Sequence, residues 1–360
     1  MNSTTPRAIA TAPNEVRRFI IENQPVRGYW VDLDSAWQNL RAHQHYPRPV
    51  QDLLGEAVSA SVLLAATLKF EGTLTLQLEG KGDVRLLVAQ CSNDFRVRAV
   101  ARLSGEDELE SEEEDDSDGD ADADDESSPA VMTGIFDLGP RGYDGADPFT
   151  ALPKAAEAFA AASFRRLVGE DGRVVVTIEG GDSGMRYQGI VPLTGDSLAE
   201  CLEAYFASSE QLPTRVRLAA DNSRTVGLLV QKLPEHGGVE AEEGSPSALA
   251  WKDAERGIAA VMPAELVGAS LQAVLEQRFG QRDLRVFQGS PVEFSCRCSP
   301  ARVAGLLRSL GADEVRDVLR EHGTVEVTCE FCQRPYKFDA FAVEQLFAPG
   351  ATPEGALSLH

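Results

Sequence analysis

Four cysteines near the C-terminus carry the chemistry in this sequence. Cys296 and Cys298 form a C-x-C pair, Cys329 and Cys332 form a C-x-x-C pair, and thirty residues separate the two. The chain has six cysteines in 360 residues, so four in two tight pairs is not scatter. Two sulfurs on each of two short loops can converge on one tetrahedral ion, and an all-cysteine set of four is a closed structural zinc site. These residues are therefore the candidate metal ligands, with one Zn2+ per chain. The C-x-C half is unusual, because structural knuckles usually separate their cysteines by about two to four residues. One intervening residue holds two thiolates so close that losing the metal leaves them poised to form a strained disulfide. Disulfides of that kind are the labile, regulatory ones. The same four side chains are thus the candidate redox cysteines.

Composition narrows the setting. A hydrophobic share of 43% is enough for a real core, and 360 residues suit a larger domain plus smaller ones. Few cysteines and no signal-like apolar start fit a reducing compartment, so a cytoplasmic location is expected. The longest apolar run, Ala57–Leu68, is too short to cross a bilayer, which needs about twenty residues, and reads as a buried helix. No membrane partner is expected. The net charge of −23 is concentrated: Glu106–Glu126 holds fifteen acids and no base, leaving −8 for the rest. Such a stretch buries too little apolar surface to offset its ordering entropy. Residues 105–129 are accordingly expected to be a disordered acidic insertion, most simply a tolerated surface loop.

The elements that must position the cysteines can be sketched from periodicity. Arg27–Leu33 is strand-like, Asp34–His45 and Asp52–Thr67 read as helices, and Thr73–Leu78 with Val84–Ala89 form a hairpin. The Gly80-Lys81-Gly82-Asp83 turn lacks the spacing and following helix of a phosphate loop. Val174–Ile178 and Arg186–Val191 are strands. The Gly-Asp-Ser-Gly string between them reads as a hairpin turn, because no partner histidine and aspartate follow in order. Leu198–Ser208 is an amphipathic helix and Val226–Leu233 a buried strand. Glycines and acids near 237–244 mark a boundary. Beyond it Ser245-Pro246 opens a helix over Leu249–Met262, and Pro263–Phe279 reads as a second, ending at Gly280. These two helices are too short to stand alone and must bury their stripes on a neighbour. His43 and His45 read as surface or capping groups, Cys91 and Cys201 as small buried hydrophobes. His322 lies between the cysteine pairs, but four sulfurs already fill a tetrahedral shell.

With these pieces in order, the chain resembles the redox-regulated chaperones of the heat-shock protein 33 family. The matching strings are VRGYWVDL, HYPRPVQDLLGEAV, LLAATLKFEGTLTLQLEGKGDVRLLVAQC, RYQGIVPLTGDSLAECLEAYFASSEQLPT, VGLLVQKLP, FSCRCS and VTCEFCQRPYKFD. The resemblance implies an α+β fold: an N-terminal core domain of α/β-sheet type over residues 1–242, a metastable helical linker over 243–290, a four-cysteine zinc domain over 291–348 and a flexible tail over 349–360. It implies an ATP-independent holdase rather than an enzyme, inactive while reduced and zinc-bound. Oxidation would release the metal and form two disulfides, by position Cys296–Cys298 and Cys329–Cys332. The linker would then unfold and bind partly folded client proteins, with a homodimer as the oxidised form. The stretch 105–163, where the family has a short connection, departs from the pattern.

Elementary energetics agrees with a metal-held switch. A domain of about sixty residues has a core worth only a few kcal/mol. Structural zinc contributes on the order of 10–16 kcal/mol of apparent binding energy in small zinc domains. Removing the metal should therefore unfold residues 291–348, and the helices before them would lose a packing partner. Two other readings compete. A zinc-knuckle nucleic-acid module would need a basic stripe, yet 291–348 carries seven Lys/Arg against nine Asp/Glu, so no nucleic-acid partner is expected. A thiol oxidoreductase would place C-x-x-C at the opening of a βαβ helix, which this sequence does not. No nucleophile, base and orienting group are arranged for catalysis, so no catalytic residue is assigned.

Overall fold

The structure, a computed structural model, describes residues 12–104, 136–137, 163–180, 186–234, 244–280 and 282–348. The expected acidic insertion at 105–129, the Gly-Asp-Ser-Gly turn and the tail at 349–360 lie outside those residues. The chain divides into two units, one drawn from 1–106 and 154–295, the other from 107–153 and 296–360.

The first unit is organised around one long helix. After strands β1 (Glu15–Ile21) and β2 (Val26–Leu33) come the short helix α1 (Ser35–Arg41) and then α2 (Arg48–Thr67). Strands β3 (Gly72–Glu79), β4 (Val84–Ser92) and β5 (Arg96–Leu103) follow as a meander. A two-residue strand, β6 (Phe136–Asp137), falls in the second unit. Then come α3 (Phe164–Val168), β7 (Arg173–Gly180), β8 (Arg186–Pro192), α4 (Leu198–Tyr205) with a π-helical turn at Phe206–Glu210, β9 (Thr214–Ala220) and β10 (Thr225–Lys232). Helices α5 (Pro246–Ala259), α6 (Pro263–Gly268) and α7 (Leu271–Phe279) precede three short strands, β11 (Leu284–Val286), β12 (Ser290–Pro291) and β13 (Glu293–Phe294).

Two sheets result. One runs β11-β1-β2-β10-β9 with β12 also on β1, the other β13-β5-β4-β3-β7-β8. Helix α2 packs against strands of both, burying Leu53, Leu54, Ala57, Val58, Val62, Leu63 and Leu64. It is long and apolar enough to cross a membrane by length and composition, yet 72% of its apolar window is buried inside the fold. That is the behaviour of a core helix. Its few polar groups are satisfied inside: the Ser59 and Thr225 hydroxyls lie 2.6 Å apart, and Thr225 also donates to the Gly55 carbonyl at 2.7 Å.

The first sheet is buried on both faces, which explains why VRGYWVDL shows no clean alternation. Tyr29, Val31 and Leu33 join the core around α2, whereas Trp30 and Val26 join a second core with β10 residues Val226, Leu228 and Val230. That second face is covered by Trp251, Ala254 and Ile258 from α5, Leu266 from α6, and Leu271, Val274, Leu275 and Phe279 from α7. Gly28 makes this close packing possible. It faces Phe19 across the β1–β2 pair, a Cβ there would overlap the Phe19 ring, and that ring stacks at 6.2 Å on Phe279.

Several elements differ in extent from the sequence reading. Helix α2 starts one turn early, at Arg48, because Pro49 fits the first turn, where a missing N–H costs nothing. Helix α1 stops at Arg41. The helix expected over Pro263–Phe279 is broken: Ala269 is extended, and the Ser270 side chain caps a new helix by accepting from the Ala273 N–H. A side-chain cap competes locally with helix continuation, so the apolar stripe survives while the helix restarts. The Gly80–Asp83 turn packs on backbone rather than on any ligand, the Gly82 N–H donating to the Val168 carbonyl at 3.1 Å.

Burial raises the Glu56 carboxyl on α2 to about 8, and Asp52 one turn earlier adds to the shift. A raised folded-state value means the folded chain holds the extra proton, so this group's contribution falls as pH rises from about 4.5 to 8 and is level above that. Glu56→Gln should raise stability at pH 8 by on the order of 1–2 kcal/mol, discounted because the side chain keeps some exposure. At pH 4 it should change little. Paired thermal melts at the two pH values check this.

Candidate metal centre

The second unit is small. Helices α8 (Pro300–Leu310) and α9 (Ala312–His322) lead into β14 (Val325–Cys329) and β15 (Pro335–Phe338), and α10 (Ala340–Leu346) closes the described chain. Strand β14 pairs with β15 on one side and with β6 on the other, Cys329 opposite Phe136. Among the described residues the unit's buried aliphatic and aromatic groups are Val303, Ala304, Leu307, Val315, Val325, Val327, Phe331, Tyr336, Phe338, Val343 and Leu346.

The sulfurs are delivered by two tight loops. Cys329 ends β14, and the chain then turns through Cys332 to Gln333, whose φ of +55° is left-handed. The turn is closed by the Gln333 N–H to the Cys329 carbonyl at 2.7 Å and the Cys329 N–H to the Arg334 carbonyl at 3.0 Å. The C-x-C loop runs directly into α8. Ser299 caps that helix by accepting from the Arg302 N–H, and the Arg302 guanidinium returns to the Arg297 carbonyl at 2.9 Å. Both loops are therefore pinned by secondary structure.

All four Sγ atoms lie within 4.8 Å of one another. Cys296 and Cys329 are 3.7 Å apart, Cys298 and Cys332 3.4 Å. Four sulfurs at about 2.3 Å from a common ion would stand roughly 3.8 Å apart, so the set fits a tetrahedral, thiolate-seeking cation. Among the described residues no other group of three or more His, Cys, Asp or Glu donors converges this way. His322 is exposed at the end of α9, and His43 and His45 are exposed. Cys91 and Cys201 are fully buried in the first unit, and burial pushes both thiols up, as expected of inert structural cysteines.

Mutual hydrogen bonding divides the four sulfurs. Cys298 is pulled well down, by Cys296 first and then by Cys329 and Cys332. Cys296 is pushed up by Cys298 but pulled down more by Cys329 and Cys332, and settles at about 6. Cys329 and Cys332 are pushed up, in each case by Cys296 first. Four neighbouring sulfurs cannot all ionise without a cation among them. Cys296 and Cys298 are partly exposed, whereas Cys329 and Cys332 are buried.

A mixed α+β chain with a four-thiolate centre in a small C-terminal unit belongs to a recognisable class, and comparison with known proteins says which. The family model described as Hsp33 protein matches residues 14–339. The "33 kDa chaperonin" of Methylobacillus flagellatus is 35% identical over 335 residues, spanning 93% of this chain and 94% of that one. The "33 kDa chaperonin" of Pseudomonas aeruginosa strain LESB58 is 36% identical over 343 residues, 95% of this chain and 97% of the relative. In fold, the chain is similar to the crystal structure of the 33 kDa chaperonin from Thermotoga maritima, with a TM-score of 0.62, 22% identity, and coverage of 92% of this chain and 97% of that one. The chain belongs to the Hsp33 family of chaperones.

Replacing a ligand tests the centre. Cys298→Ser should lower metal affinity by more than the roughly ten- to hundredfold typical of losing an outer-shell partner. Cys91→Ser and Cys201→Ser should leave metal content at one ion per chain, as read by elemental analysis after dialysis.

Proposed function

We propose that this chain is a redox-regulated, ATP-independent holdase, with Cys296, Cys298, Cys329 and Cys332 as both zinc ligands and switch. The observation that carries it is the convergence of the four sulfurs, all within 4.8 Å of one another, on two short loops of the second unit. Zinc, when bound, supplies the dication that lets four thiolates share this volume and clamps two loops together.

The chain's own groups do the rest. The partly exposed C-x-C pair is where a peroxide or hypochlorous acid first meets a sulfur, since Cys329 and Cys332 are buried. One thiolate attacks the peroxide oxygen, becoming a sulfenic acid as hydroxide leaves. A neighbouring thiol then displaces that oxygen as water, and a disulfide forms. Each disulfide consumes two electrons' worth of oxidant, and its sulfurs no longer ligate. In the reduced state the nearest contacts run between pairs, Cys296 with Cys329 and Cys298 with Cys332. A tetrahedron makes all its edges alike, so these distances do not choose a partner. The pairing proposed, Cys296–Cys298 with Cys329–Cys332, is the one that the family resemblance implies.

The signal then travels along the chain. Residues 284–294 are held by strands of two or three residues, β11 and β12 on β1 and β13 on β5, and Cys296 follows directly. Such short pairings give little resistance once the residues after them unfold. Upstream, α5–α7 cover the second face of the first sheet. Their release exposes an apolar sheet face and three apolar helix stripes, a surface suited to unfolding clients. We assign the chain a reducing, cytoplasmic setting and an oxidised homodimer on the same reading.

Peroxide with mild heat should release one zinc per chain, consume four thiols and suppress aggregation of a heated client in light scattering. Zinc release without any gain in client protection would overturn the proposal. Leu275→Ala should destabilise the linker core by about 2–5 kcal/mol and give the reduced, zinc-loaded protein measurable holdase activity; an inactive reduced variant argues against the linker's masking role.

A further inference from the structure

Strand β14 has two edges, and they are used differently. In an antiparallel strand the N–H and C=O of one residue point to the same edge, and those of the next residue point to the other. Cys329 uses both groups on the turn that leads into β15. Its N–H donates to the Arg334 carbonyl at 3.0 Å, and its carbonyl accepts from the Gln333 N–H at 2.7 Å. The N–H and C=O of Thr328 therefore face the opposite edge. Pro335, across from Thr328 on β15, has no N–H to offer, and at this non-bonded position it costs the ladder nothing. On the outer edge Thr328 stands opposite Asp137 and Cys329 opposite Phe136. Thr328 with Asp137 is thus the hydrogen-bonded pair of the β14–β6 contact, made by backbone and placed one residue before a sulfur of the cluster. The previous residue with groups on this edge, Glu326, lies beyond the two pairs that β6 makes.

We propose that β6 is a positioning strand of the metal centre: an extended segment from the stretch between residues 105 and 163 docks on the β14 edge and fixes the backbone that carries Cys329. Contacts just outside a ligand set hold the ligands in orientation and strengthen metal retention. A strand end paired on both edges also opens less often than one paired on a single edge, so the Cys329 sulfur meets an oxidant less often. The stretch that departs from the family pattern thereby raises the threshold of the switch. This rests on the metal-centre reading proposed above.

The test separates backbone from side chain. Asp137→Pro removes the N–H that pairs with Thr328, whereas Asp137→Asn keeps it and removes only the charge. In reduced, zinc-loaded, full-length wild type, the Thr328 amide should exchange with deuterium several-fold more slowly than the Glu326 amide on the same edge. Zn2+ affinity, read by chelator competition, should match wild type in Asp137→Asn and fall about tenfold in Asp137→Pro. Asp137→Pro should also lose its thiols to peroxide several-fold faster. Unchanged affinity and oxidation rate in Asp137→Pro would overturn the inference, as would equal losses in both variants or a Thr328 amide that exchanges as fast as that of Glu326. Protection at Thr328 that appears only as protein concentration rises would give the edge to a second copy of the chain and overturn it too. Wild type that takes no Zn2+ would overturn the metal reading and with it the threshold role, while exchange at Thr328 reads the strand pairing independently.

Discussion

Four thiolates within 4.8 Å repel one another, and that repulsion is the constraint on which the C-terminal unit depends. With a cation at the centre the arrangement is strongly favourable; without one, protons must return to some of the sulfurs and the loops lose their reason to meet. On the proposed reading, part of the unit's stability comes from a bound cation, and chemistry that removes the thiolates would remove that part.

The first unit has the opposite economy. Helix α2 is buried among strands of both sheets, and its hydroxyls are satisfied internally, so that core has no redox dependence. The second face of the first sheet is where the two regimes meet. Its cover is three short helices rather than one long one, tied by ion pairs as well as by apolar contact. Arg215 on β9 bonds Glu203 at 3.1 Å and also pairs with Glu255 of α5, while Arg278 of α7 pairs with Glu265 of α6. Glu265 and Arg278 each leave one buried atom unpaired. Buried ion pairs with unmet hydrogen bonds contribute little net stability, because desolvation offsets their attraction. A cover built this way is specific in its seating and inexpensive to remove.

Strand β6 adds a feature that belongs to the stretch between 105 and 163. Its two residues pair with the open edge of β14, Cys329 opposite Phe136. An exposed strand edge is a template for pairing, and here a segment of the same chain occupies it beside Cys329 of the four-cysteine cluster.

The sequence alone determined whatever depends on short spacing. C-x-C and C-x-x-C named the four sulfurs that converge, because cysteines paired on one tight loop stay together in any fold, and Ser245-Pro246, Gly280 and the hairpin after Thr73 are punctuated by residues whose local conformations are restricted. Elements missed there, such as β1, β5 and β9, left weaker traces: Arg96–Leu103 alternates arginine with apolar residues, a period-two signal that could have been found, while β11–β13 are too short to carry any period. The break in the helix after Pro263 was hidden because the apolar stripe continues across Ala269 while only a serine cap interrupts the backbone. What tertiary structure alone decided is everything that joins residues far apart: that β2 is buried on both faces, that Gly28 clears space for Phe19 against Phe279, that the sulfurs of Cys296 and Cys298 meet those of Cys329 and Cys332. Local conformation is written in neighbouring residues, whereas these pairings are fixed by sheet register and by which faces meet, and no stretch of a few residues encodes either.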